Sequence, residues 1–110
     1  FMGYLMAYIG FAYQHPKIFE FIYMKNTYQN NESDQHIIQV IVHGIMKAGD
    51  YDYDTAYRFY IQSFVYAHGF STQIVSGYIR WSITEIRTLM EEEFEALKLK
   101  YKGEFKHGIY

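Results

Sequence analysis

Between Tyr53 and Tyr78 the chain reads YDTAYRFYIQSFVYAHGFSTQIVSGY, a proline-free run with apolar side chains on more than one helical face. Tyr53, Ala56, Tyr57, Tyr60, Phe64, Ala67 and Ile74 follow one stripe, and Phe59, Tyr66 and Phe70 follow another. A surface helix needs a single apolar stripe. A helix apolar on two sides is expected to pack against its own domain on one side and something else on the other. In a chain this short, a second copy of the same protein is the simplest occupant.

The 110 residues suffice for one domain, with about 65% of the unfolded surface buried on folding. Half of them are hydrophobic and 21% aromatic, too apolar a mixture for disorder. One proline and scattered glycines leave no linker, and no internal repeat is visible. Without cysteine there is no disulfide and no thiolate metal site, which fits a reducing compartment. The net charge of −2 argues against direct nucleic-acid binding by this chain. Its lysine-rich segment (Lys98, Lys100, Lys102, Lys106) is balanced by Glu91, Glu92, Glu93, Glu95 and Glu104.

The opening residues Phe1-Met2-Gly3-Tyr4-Leu5-Met6 have no basic lead-in of the signal-peptide kind. The apolar run to Tyr13 is shorter than the roughly 20 residues of a membrane-spanning helix. No membrane partner is expected. A start of this kind suggests a fragment whose N-terminal part has been removed.

The pattern predicts an all-α fold, a bundle of five helices. The first covers Phe1 to Gln14, with Gly3 and Gly10 on one face where another helix would approach closely. His15-Pro16 ends it, and Pro16 suits the first turn of a second helix from Lys17 to about Thr27. After a polar loop at Gln29-Asn30-Asn31-Glu32-Ser33, Ser33 or Asp34 caps a third helix ending near Ala48-Gly49. The β-branched run Ile37 to Val42 also admits a strand, but its pattern continues to Met46 and favours helix. Asp52 is the expected cap of the long fourth helix. Ser82-Ile83-Thr84-Glu85 is a capping box opening the fifth, whose apolar seam is Ile83, Ile86, Met90, Phe94, Leu97 and Tyr101.

The candidate chemistry is sparse. Asp50, Asp52 and Asp54 imitate a calcium loop, but Thr55 stands where glycine is required and Ile61 where a bidentate Glu belongs. His36 and His43 share a helix face two turns apart, too far for one zinc ion, and no HExxH spacing occurs. No metal and no cofactor are expected. No nucleophile motif appears, so no catalytic residue is assigned and the chain does not read as an enzyme. A helical enzyme using His43 or His68 with Glu20 is the weakest of the readings considered.

The 13 tyrosines place many hydroxyls beside apolar surface. A pocket lined by Tyr8, Phe11, Met24, His43, Met46, Tyr57, Tyr60 and Phe64 would be mostly apolar with a few polar directors, the general character of a small-molecule site. Its aromatic faces would suit a flat or cationic ligand. The last two long helices form an antiparallel pair. Two such pairs from two subunits would make a four-helix interface burying Phe70, Ile74, Ile83, Ile86, Met90 and Phe94.

Three stretches resemble the C-terminal regulatory domain of TetR/AcrR-type bacterial transcriptional regulators. These are Ala7-Tyr8-Ile9-Gly10-Phe11-Ala12-Tyr13-Gln14-His15-Pro16, Gly49 with the acidic turn after it, and Phe64-Val65-Tyr66-Ala67-His68-Gly69-Phe70. The last is similar to the His-Gly element of the family's interface helix, which adds His68 and Gly69 to the implied dimer interface. The resemblance implies a cytoplasmic homodimer, a repressor, with residues 1–110 as a single effector-binding and dimerisation domain. DNA would be read only by an N-terminal helix-turn-helix domain absent from this sequence. The family is not enzymatic, and effector identity does not transfer. A second reading is a purely structural homodimerisation module with a filled core and no ligand.

Overall fold

In a computed structural model of the chain, secondary structure is described for residues 1–25 and 32–109, and side chains for residues 1–23 and 35–101. Five helices occupy them, with no strand among the described residues. Helix α1 spans Met2–Gln14, α2 Pro16–Phe19, α3 Glu32–Gly49, α4 Tyr53–Val75 and α5 Ile83–Ile109.

The helix ends follow from local chemistry. His15 leaves the helical region at φ −131°, and Pro16 starts α2 without needing a backbone donor. The expected α-helix of residues 17–27 is only partly one: after Phe19 the backbone widens into a π-helical turn over Glu20–Lys25. Residues 26–31, and with them most of the expected polar loop, lie outside the described residues. Because α3 already begins at Glu32, Ser33 and Asp34 fall inside the helix rather than ahead of it. The β-branched run Ile37 to Val42 is helical throughout.

Asp52 caps α4, its Oδ1 accepting from the Thr55 N–H at 2.8 Å. At α5 the capping box closes in both directions: Glu85 N–H donates to Ser82 Oγ at 3.1 Å and Ser82 N–H to Glu85 Oε1 at 3.0 Å. One C-terminus, that of α4, differs from expectation, while α3 ends at Gly49 as expected. Helix α4 stops at Val75, not Tyr78, because Gly77 adopts φ +80° and the Tyr78 N–H returns to the Gln73 carbonyl at 3.0 Å. Helix α3 runs through Gly49, and Asp50 takes the left-handed position at φ 56°, with Tyr51 N–H bonded to the Met46 carbonyl at 3.0 Å.

Helix α4 is the central element, in contact with α1, α2, α3 and α5. Its most extensive contact is with α1. Ala56, Ser63, Ala67 and Ser71 of α4 are fully buried small residues, and α1 contributes the fully buried Leu5, Ile9 and Ala12. Small side chains let the two axes approach closely. Gly3 and Gly10 play no such part: a Cβ at either would meet nothing within 4 Å among the described residues.

This arrangement narrows the apolar surface that residues 53–78 leave for a second copy. Phe59 and Phe70, from the second stripe, are buried within a single core cluster together with Ile86, Met90, Phe94, Leu97 and Tyr101 of α5. The second stripe is therefore largely covered by the chain's own helices, and the first only in part. What remains in solvent is a narrower row, Tyr53, Tyr57, Ile61 and Val65, spaced one turn apart along α4.

Candidate functional site

Two aromatic regions flank the core, and they differ in whether space is left between the rings. The first centres on Tyr8 of α1. Its ring lies 5.3 Å from Phe19, 5.2 Å from Tyr23 and 5.2 Å from Phe64, centroid to centroid. The π-helical turn sets Phe19 and Tyr23 against each other at 4.9 Å. Phe64 in turn stacks on His68 at 6.1 Å and on Tyr60 at 5.8 Å. The Tyr8 hydroxyl and His68 Nδ1 stand 2.7 Å apart, joining α1 to α4. With the imidazole neutral and its proton on Nε2, Tyr8 donates this bond.

Burial governs the protonation of both partners. It lowers the His68 pKa from its ordinary value. It also raises the Tyr8 phenol strongly, an effect reinforced by the neighbouring Tyr23, Tyr4 and Tyr60 phenols. Each group is held neutral near pH 7, which suits a structural bond better than proton transfer.

The second region is a cleft of about 640 Å³ where the start of α1 faces the C-terminal half of α3, α4 and α5. Its α3 wall is Ile41, Gly44, Ile45, Ala48 and Gly49, one helical face that turns from bulky to bare. Gly44 is decisive: a Cβ there would meet nothing within 4 Å among the described residues, so none of them fills the space in front of it. The Tyr51 ring folds back over Gly49, where a Cβ would lie 2.2 Å from a ring carbon, so only glycine permits this approach. Across the cleft, Phe1, Phe59 and Phe94 form an aromatic wall, with Phe59 edge-on to Phe94 at 5.4 Å and Phe1 5.6 Å from Phe94. Met2, Tyr4 and Lys98 complete the lining.

The eight side chains expected to line a pocket do not form one wall. Tyr8, Tyr60 and Phe64 meet in the closed cluster, and Phe11 joins its edge, 6.4 Å from Phe19. Tyr57 is exposed at the margin, stacked on Tyr53. His43 faces solvent, its Nδ1–H donating to the Gln39 carbonyl at 2.7 Å, and Met46 packs partly buried against the core. The Met24 side chain lies outside the described residues. None of the seven whose side chains are described lines the cleft. The cleft walls were missed because Phe1, Tyr51, Phe59 and Phe94 are far apart in sequence. The readable signal was the bare face Gly44, Ala48 and Gly49 on an otherwise bulky helix.

The residues expected at a dimer interface are largely turned inward. Phe70, Ile86, Met90 and Phe94 are buried inside one chain, Ile74 is partly buried against the same core, and His68 is bonded to Tyr8. Gly69 and Ile83 reach solvent. The physical reason is simple: α5 folds back on α4 and uses most of its seam within the chain.

No group of three or more His, Cys, Asp or Glu side chains able to hold a metal occurs among the described residues, and His43 and His68 have separate partners. No helix among the described residues is long and apolar enough to cross a membrane. No family model, no curated protein and no solved structure matches this chain.

Proposed function

We propose that this chain is the effector-sensing and dimerisation domain of a TetR/AcrR-type transcriptional regulator, a repressor that binds an apolar or aromatic small molecule. The observation that carries the reading is the cleft of about 640 Å³, within the roughly 300–1,000 Å³ range of small-molecule sites and lined mainly by apolar and aromatic groups. It joins four helices, so a ligand wedged there would bias their relative positions if it bound two arrangements with different affinity. DNA contact, in this reading, belongs to a separate helix-turn-helix segment. No catalytic step is invoked, which accords with the neutral Tyr8–His68 pair.

The exposed row Tyr53, Tyr57, Ile61 and Val65 is the surface this reading assigns to a second copy. The closed Tyr8 cluster favours an alternative, a structural homodimerisation module without ligand, because its interior holds rings packed on rings. A thermal-shift screen of apolar and aromatic compounds separates the two. Stabilisation by a compound in the wild type, lost in Gly44→Phe, supports the sensor. A screen with no stabilising compound favours the structural module.

A further inference from the structure

The cleft carries one charged side chain among its described lining residues, and its position points to a ligand chemistry. Lys98 lies one turn beyond Phe94 on α5, so an ammonium and an aromatic wall are neighbours on the same helix face. Its current partner is Glu95, with Nζ 3.2 Å from Oε1 and both side chains more than half exposed. Such a surface pair is worth little, about 0–1 kcal/mol, and does not hold the lysine in place. The long stem can rest along the apolar rim while the head group turns toward the cleft mouth. Behind that mouth the described lining, which includes Met2, Ile41, Ile45, Phe59 and Phe94, contains no acidic residue.

One feature opposes an anion. The C-terminal end of α3 forms part of the wall, and helix C-termini carry about half a negative charge, which would draw a cation. That end is partly neutralised by the Tyr51 N–H bonded to the Met46 carbonyl. A mobile full charge at the mouth outweighs the remainder. Resting on the cleft being a ligand site, as proposed above, we propose that its ligand is an amphipathic carboxylate, an apolar or aryl-alkyl body against Phe59 and Phe94 with the carboxylate on Lys98.

Calorimetric titration of the whole chain with phenylbutyrate, phenylbutanol and phenylbutylammonium tests this with one body and three head groups. The expected order is carboxylate tightest, by about three- to fivefold over the alcohol, and the ammonium weakest. Lys98→Met should erase the preference for the carboxylate while leaving the alcohol's affinity unchanged. Glu95→Gln, which frees Lys98, should increase the preference. Equal binding of acid and alcohol by the wild type, or tightest binding of the ammonium, overturns the assignment while leaving the cleft reading intact. A preference that survives Lys98→Met overturns it as well. Binding of none of the three removes the cleft reading beneath it.

Discussion

The ring cluster around Tyr8 and the cleft beside Phe94 are built from similar residues and end in opposite states. In the cluster, α1 lies close to α4 because Ala56, Ser63, Ala67 and Ser71 keep the central helix thin, and the rings of Phe19, Tyr23 and Phe64 converge on Tyr8. At the cleft, Phe59 and Phe94 meet a bare stretch of α3, and the space in front of Gly44 stays open. Aromatic content therefore does not distinguish a core from a pocket. The decisive variable is whether the facing helix brings bulk to match.

If that contrast is right, truncating a ring should cost more in the cluster than at the cleft. Phe19→Ala removes a fully buried ring from a closed environment and should destabilise by about 3–5 kcal/mol. Phe94→Ala should cost less, because one side of that ring already borders the cleft. Chemical denaturation of the two variants measures the difference, and equal losses would break the comparison.

Next in size is Tyr8→Phe. It keeps the ring and deletes the hydroxyl that satisfies His68 Nδ1, so a loss of about 1–3 kcal/mol is expected. A loss near zero would mean that water replaces the phenol and that the cluster is less closed than its ring distances imply.

Gly44→Ala probes the open side. The new methyl meets nothing within 4 Å among the described residues, and alanine suits a helix interior better than glycine, so a gain of about 0.5–1 kcal/mol is expected. Destabilisation would show that α3 closes over the cleft in solution.

The smallest effect is a pH dependence confined to the cluster. Burial lowers the His68 pKa below its ordinary 6.5, so the unfolded chain binds this proton more readily than the folded one. The stability it contributes is fully present above pH 6.5 and declines as the pH falls through the folded value. His68→Gln should flatten this segment of the stability profile. Asp52 acts in a separate window: the Thr55 backbone and side chain lower its pKa, so its contribution fades only below its ordinary 3.8.

Several features were legible from residue order alone because they depend on neighbours in sequence. The His15-Pro16 break, the Asp52 cap and the Ser82–Glu85 capping box all form within a few residues, and each is present. Gly77 gave an equally local stop signal that a helix drawn to Tyr78 overlooks. Asp50 was harder to read, since glycine at 49 is the more usual C-terminal residue. Yet Gly49 is needed for the Tyr51 ring and leaves the left-handed position to aspartate.

The sequence by itself determined that this chain is helical, where most of its helices begin and end, and which faces are apolar. Hydrophobic period and capping chemistry are short-range, so one strand of text contains them. Only the tertiary structure decided that Phe59 and Phe70 of α4 are covered by its own chain, that Ile86, Met90 and Phe94 are buried within it, and that Tyr8 meets His68 across 60 positions. It also decided that the open space lies in front of Gly44 rather than among the tyrosines. An apolar face requires burial but does not specify against what. That choice depends on the summed fit of side chains distant in sequence, which no local pattern encodes.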